Sequence, residues 1–457
     1  MQLSMAPTAA VKARRARLAQ RLDGTRALLA AGEPRARNYP AATYPFRASS
    51  HFLYLVGLPI PEAMLLVEGE QSTLFVPPHD PADALWHGAL PSYAEVGEAV
   101  GCAVRPLTEL PSLGGADAIA TGTIPTVDAR GRAAQERALG RPLATRTEAD
   151  ERVIDALIAL RLVHDEAAVV GLREAAEATR AAHLAGMKAT RPGVREAEVR
   201  AAMIHEFSRR DLSAAYGPIV TVHGEILHND VYHHTLADGD LLLADVGAES
   251  SGGWAGDVTR TWPVNGTFSD TQRVMYEIVL AAQEAAIAKV APGVRYRDVH
   301  LAAARALASG LVELGVLRGD PDELVADGVH ALFFPHGVGH LIGLDVHDME
   351  DLGDRAGYAP GRSRSEQFGL AYLRLDRDLE AGMAVTIEPG FYQVPAILED
   401  EARVSVAGDR LNRDALARFS DVRGIRIEDD VLVTETGAEV LTRDIPKRAA
   451  DVEAAVG

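Results

Sequence analysis

Residues 241–261, LLLADVGAESSGGWAGDVTRT, read as a β-hairpin that decides the fold of the second half of the chain. The apolar Leu241 to Leu243 enters it, and the Ser-Ser-Gly-Gly of residues 250–253 turns it. With the turn centred on residue 251, Asp245 and Asp257 stand directly opposite each other, their carboxylates on one face. Facing carboxylates destabilise a strand pair unless a positive charge lies between them, and a metal ion is the simplest one. The alternative, that both carboxylates point to water, is weakened by the apolar entry of the hairpin.

Towards the C-terminus, residues 334–348, FPHGVGHLIGLDVHD, place His336, His340 and His347 among glycines and aliphatics. Glycines let backbone approach closely, and apolar neighbours exclude water from an imidazole. One histidine in such a place is commonly a satisfied core residue, whereas three so close together point to function. Two strand-like stretches follow, residues 383–390 (MAVTIEPG) and 424–433 (GIRIEDDVLV), and each offers a glutamate. Alternation sets Thr386 with Glu388 on one face, and Arg426 with Glu428 opposite Ile425 and Ile427. A lone glutamate of this kind would be a salt-bridge partner. Collected, Asp245, Asp257, His340, Glu388 and Glu428 supply four carboxylates and one imidazole, enough oxygens to bridge two divalent cations. With no thiolate and one nitrogen, the set favours manganese or another hard to borderline ion over a structural zinc site. Two metals ~3.5 to 4 Å apart can activate a water and polarise a carbonyl, which is hydrolysis without a covalent intermediate.

Towards the N-terminus, short β-type runs at His51 to Leu58, Ala63 to Val67, Ser72 to Val76 and Thr123 to Val127 predict a small α/β domain. Helical spacing of Val169, Leu172, Ala176 and Thr179 opens the next part, so the boundary falls between residues 150 and 165. Beyond it, Pro192-Gly-Val-Arg195 and Pro292-Gly-Val-Arg295 each sit between two helical stretches. Two such copies predict a duplicated α/β half bracketing a central site; two similar turns arising by chance is the alternative. At 457 residues, with 47% hydrophobic and 24% charged, the chain is an ordinary globular protein of two or three domains. Its 46 basic against 65 acidic residues leave −19, which repels a phosphate backbone and disfavours nucleic acid as a partner. The single Cys102 cannot form an intramolecular disulfide, excludes thiolate cages and fits a reducing cytoplasm. Lys12, Arg14, Arg15 and Arg17 precede no apolar core of a signal peptide, and no run is long enough for a membrane span.

With these motifs in order, the chain resembles the pita-bread metallopeptidases, in the branch of Xaa-Pro aminopeptidases and Xaa-Pro dipeptidases. The similarity runs from about residue 45 to 445 and rests on DVGA, GDVTRTWPVNG, HGVGHLIGLDVHD, IEPG and GIRIEDD. It implies an α/β fold: a creatinase-like N-terminal domain, residues 1–155, before a pita-bread catalytic domain, residues 156–457. It implies that Asp245, Asp257, His340, Glu388 and Glu428 ligate two divalent metals, manganese first, with zinc or cobalt as alternatives. Glu388 would double as general base, His228 and His347 would contact the substrate carbonyl and the tetrahedral intermediate, and His336 would bind substrate. Arg426 would orient Glu428 from behind. Phe46 to Ala63 resembles the family's N-domain, which implies a homodimer. The substrates implied are small peptides with proline second; the residues themselves indicate only a hydrolytic metal site.

Within the branch, the long interval 393–421, with LNRDALARF at 411–419, resembles an insertion of eukaryotic-type dipeptidases. Arg374 sits where a dipeptidase arginine would bind the free carboxylate of Xaa-Pro. The expectation is therefore an Xaa-Pro dipeptidase, with an Xaa-Pro aminopeptidase as the alternative, since Leu441 to Val456 resembles the latter. A metal-free pita-bread binding module, a creatinase-like enzyme and a methionine aminopeptidase remain open, although the complete ligand set opposes the first two and the long N-domain the third.

Overall fold

The computed structural model describes residues 6–457 except 79–81, 83 and 116–118, so Met1 to Met5 of the basic N-terminal stretch lie outside it. The chain divides into two compact units, 1–167 and 168–457. The junction expected between residues 155 and 156 lies within the helix Glu148–Arg161, whose start is closed by a capping box of Thr147 and Asp150.

The first unit is built on a five-stranded mixed sheet. Met64–Glu68 and Gln71–Val76 form an antiparallel hairpin turning at Gly69 and Glu70; Arg26–Ala30 pairs antiparallel with the first and parallel with Thr121–Thr123. Ala103–Pro106 adds in parallel at the far edge. Leu28, Met64, Leu66 and Phe75 give this sheet its core. Two expected strands differ. His51 to Leu58 is the helix Ser50–Val56, ended by Gly57 in the left-handed region, because a short run buried on every side carries no alternation to separate strand from helix. Thr123 to Val127 contributes only its first residue to a strand, Thr121–Thr123. The basic residues near the N-terminus are structural: Arg14 and Arg15 are buried on the helix Thr8–Leu22. Arg14 pairs with Asp165 at 2.8 Å, and Arg15 donates to the carbonyls of Leu55 and Val100.

The second unit repeats one plan twice. Helices Glu166–Ala189 and Glu196–Ser208 flank the first Pro-Gly-Val-Arg turn, and Asp270–Lys289 and Tyr296–Glu313 flank the second. Each turn is held in the same way. Gly193 N–H donates to the Leu236 carbonyl and Leu236 N–H to that of Val194; Gly293 and Leu379, then Leu379 and Val294, repeat the pattern, all at 2.8 Å. A strand follows each anchoring leucine: Leu241–Asp245, paired antiparallel with Thr259–Pro263, and Ala384–Ile387, paired antiparallel with Asp429–Thr434. Asp245 and Glu388 therefore occupy equivalent places, each nine residues past its leucine (236 to 245, 379 to 388). Backbone and threonine bonds join the two strand pairs: Glu428 N–H donates to Thr259 O at 3.0 Å, and Thr261 Oγ1 donates to Arg426 O at 3.1 Å. Among the described residues, no helix is long and apolar enough to cross a membrane.

Candidate metal centre

The ends of these strands open on a cavity of about 390 Å³, and all ten residues singled out above line it: His228, Asp245, Asp257, His336, His340, His347, Arg374, Glu388, Arg426 and Glu428. The hairpin register differs from expectation. Asp245 faces Thr259, not Asp257. Asp257 lies two residues from that partner, so the two carboxylates are diagonal neighbours on one face, which still aims both into the cavity. The HGVGH segment lies along the strand Ala384–Ile387: Thr386 N–H donates to His340 O, and Glu388 N–H to Val338 O. Gly339 makes this approach possible, since a Cβ there would sit 2.2 Å from the Thr386 carbonyl oxygen.

One ligand atom each of Asp257, His340 and Glu428 lie within 4.8 Å of one another, and the three residues are 5%, 3% and 1% exposed. His340 Nδ1 stands 3.0 Å from Leu341 O, which assigns the proton to Nδ1 and leaves the Nε2 lone pair for a ligand. Nε2 itself lies 3.5 Å from Asp257 and 3.7 Å from Glu388. Burial, reinforced by Asp245, pushes Asp257 up to about 8. Burial pushes Glu388 up to about 7 and Glu428 well above the carboxylate range. Glu428 Oε1 is buried with no hydrogen-bond partner among the described residues. A buried, unpaired acceptor among carboxylates that resist ionisation is the environment that divalent cations relieve, and the oxygen-rich donor set suits them.

Arg426 does not touch Glu428 as expected. Its Nη2 donates to Asp245 at 2.7 Å, Nη1 to Tyr392 Oη at 3.1 Å and Nε to Thr259 Oγ1 at 2.9 Å; the Thr259 hydroxyl in turn donates to Glu428 at 2.7 Å. Both ring nitrogens of His336 are engaged, by Gly337 O and the Tyr392 hydroxyl, and burial lowers its pKa to about 3. The expected substrate-binder is thus a neutral ring held by the protein. His347 packs on His340 with ring centroids 4.3 Å apart, and its Nδ1 is 3.3 Å from Glu350. Burial lowers both His347 and His228, so each is neutral near pH 7. Arg374 is ion-paired with Glu350.

Several residues here escaped the sequence reading. Tyr216 donates its hydroxyl to Asp245 from outside any motif. Tyr392 went unread although a signal was there: alternation along Glu388, Gly390 and Tyr392 keeps it on the Glu388 face. Arg403, from the 393–421 interval, lines the cavity and stacks 4.2 Å over Phe368.

Residues 170–435 match the model of metallopeptidase family M24, and residues 11–117 match the aminopeptidase P N-terminal domain. The chain belongs to metallopeptidase family M24. It is a metallopeptidase of the pita-bread fold, in the aminopeptidase P branch. This M24 chain is 32% identical to the Xaa-Pro aminopeptidase of Haemophilus influenzae, covering 96% of this chain and 95% of that one. It is 33% identical to the Escherichia coli Xaa-Pro aminopeptidase, covering 96% of each. Its fold is similar to that of Pseudomonas aeruginosa aminopeptidase PepP, with TM-score 0.81, 30% identity, and 99% and 98% of the two chains covered. It is also similar to proline aminopeptidase P II from Yersinia pestis, with TM-score 0.79, 33% identity, and 98% and 99% covered.

Proposed function

We propose that this M24 peptidase is an Xaa-Pro aminopeptidase, releasing the first residue from peptides with proline second. The relatives named above support this over the dipeptidase expected from the sequence, since they are similar along nearly their whole length and carry that name. The observation that carries the chemistry is the gathering of Asp245, Asp257, His340, Glu388 and Glu428 in one cavity with His228 and His347. We assign these five as ligands of two divalent cations, manganese first, in a cytoplasmic homodimer. A relative from E. coli described as zinc-substituted keeps zinc in view.

Bound there, the cations would supply Lewis acidity towards a water and the scissile carbonyl. Glu388, at the edge of the same cavity, takes the water's proton as the oxygen attacks the carbonyl carbon. His228, neutral, donates a hydrogen bond to the oxygen that becomes negative, and His347, its proton held on Nδ1 by Glu350, accepts one at Nε2 from the hydroxyl of the tetrahedral intermediate. As the C–N bond breaks, Glu388 returns its proton to the proline nitrogen, which leaves as a secondary amine. Tyr392 and Arg426 keep His336 and Asp245 in place throughout. A proline nitrogen carries no N–H, so recognition relies on ring shape and the free amino terminus.

The dipeptidase reading keeps one supporting observation, a guanidinium, Arg374, in the cavity wall. Mass analysis of products from Xaa-Pro and Xaa-Pro-Yaa separates the two readings. An aminopeptidase releases intact Pro-Yaa and works faster on the tripeptide; cleavage confined to the dipeptide would contradict it.

A further inference from the structure

Three arginines line the cavity, and each is matched by an acid: Arg426 by Asp245, Arg403 by Asp400 and Arg374 by Glu350. The last pair differs in where its acid comes from. Glu350 lies three residues after His347, and both of its oxygens converge on Arg374 Nη1, at 2.8 and 2.6 Å. Its other neighbour is His347 Nδ1 at 3.3 Å. Glu350 follows Met349, a buried residue with φ of 61°, a backbone conformation that side chains other than glycine adopt at a cost. That kink aims the first residue of the turn Glu350–Leu352 back at the cavity wall. Burial opposes the ionisation of Glu350, yet His347 and Arg374 outweigh it and hold the carboxyl at about 2, so the charge is permanent.

We propose that Glu350 is a built-in carboxylate that occupies Arg374 and biases this site against Xaa-Pro dipeptides, in favour of longer peptides. In an Xaa-Pro dipeptide the free carboxylate sits on the carbon next to the proline nitrogen, close to the scissile bond. There it meets a guanidinium that is already neutralised and a second negative charge beside it. In Xaa-Pro-Yaa the same position is a neutral amide carbonyl, and the terminal carboxylate lies ~3.5 Å or more further out. Glu350 is thus a specificity-determining residue; the inference deepens the aminopeptidase reading and rests on it.

The test is the ratio of kcat/KM for an Xaa-Pro dipeptide to that for the matching Xaa-Pro-Yaa tripeptide, which cancels any general effect on His347. Glu350→Gln keeps the shape and removes the charge, and Glu350→Ala repeats the measurement if the first variant fails to fold. The ratio rises roughly 10- to 100-fold, the scale of one charge-assisted hydrogen bond between Arg374 and the dipeptide carboxylate. Adding Arg374→Gln abolishes the rise. L-proline, titrated calorimetrically, binds the Glu350→Gln protein tighter than wild type by a similar factor, whereas L-prolinamide, which has no carboxylate, does not. A ratio unmoved in both variants, or one that rises equally without Arg374, overturns the inference while leaving Xaa-Pro hydrolysis intact. A wild type that cleaves no Xaa-Pro bond overturns the functional reading itself.

Discussion

One hydroxyl shows how tightly the acidic cluster is organised. Thr259 donates to Glu428 and accepts from Arg426, whose guanidinium also holds Asp245, so a single neutral side chain couples two carboxylates from different strands. His347 stands apart from that lattice. It packs on His340 but faces Glu350 and Arg374, which fits a group that meets substrate and leaves the cations to others. His347→Ala is expected to lower kcat by about 10² to 10⁴, the range for a positioned acid or base. Elemental analysis is expected to show unchanged metal content; metal lost with the imidazole would mean that His347 is a ligand. Eight of the ten site residues lining the cavity sit in motifs whose glycines, prolines or alternation mark them, whereas His228 and Arg374 were placed by the family resemblance alone. Glu350 and Tyr216 were not legible, because their roles depend on a backbone kink and on a partner 29 positions along the chain.

Among the elements, the hairpin between Leu241–Asp245 and Thr259–Pro263 was readable in type and misread in register. The loop is a three-residue one: Ser250 N–H reaches the Trp254 carbonyl, and Gly253 lies in the left-handed region with φ of 83°. With residues 251–253 as the loop the turn centres on residue 252 and not 251, which moves Asp257 from beside Asp245 to its diagonal. The same strands reveal a device that the motifs conceal. Arg260 and Asp429, both wholly buried, form a 2.7 Å ion pair that clips one strand pair to the other, with Lys447 on the second Asp429 oxygen. Burial opposes ionisation of Asp429, but Arg260 and Lys447 hold it at about 2. Removing Arg260 leaves the buried Asp429 with Lys447 alone to balance its charge and breaks the pair that joins the strands. Arg260→Met is therefore expected to lower unfolding stability by about 3 to 5 kcal/mol in denaturant titrations. A change below about 1 kcal/mol would show that water or another group satisfies Asp429.

Across the whole molecule, the duplication positions the site, and buried histidines set the expected response to acid. Two halves meet through their strands, so Asp245 and Glu388 converge from equivalent positions, and long helices cover the outside with buried histidines beneath them. Burial holds His183 and His330 at about 4 and His300 well below its ordinary 6.5, and among the described residues neither ring nitrogen of His300 has a hydrogen-bond partner. A histidine depressed on folding contributes stability that is fully present above the unfolded pKa of 6.5 and is lost as pH falls towards the folded one. The raised carboxylates of the metal site act with the opposite sign, so the histidine effect is isolated by comparing wild type with His300→Gln in one metal state. Between pH 7.5 and 5.0 the wild type is expected to lose about 2 kcal/mol more than the variant. Equal losses would mean that His300 is already protonated, or solvated, in the folded protein.

On the proposed function, five side chains from two duplicated halves hold two divalent cations, and peptide hydrolysis depends on them. Chelator-stripped protein titrated with manganese, with metal per chain and Xaa-Pro-Yaa turnover read on the same samples, tests it most directly. The expected result is no turnover without metal, full recovery as occupancy approaches two per chain, and failure to recover in Asp257→Asn although the protein remains folded. Undiminished turnover in metal-free protein, or full activity of Asp257→Asn, would contradict it.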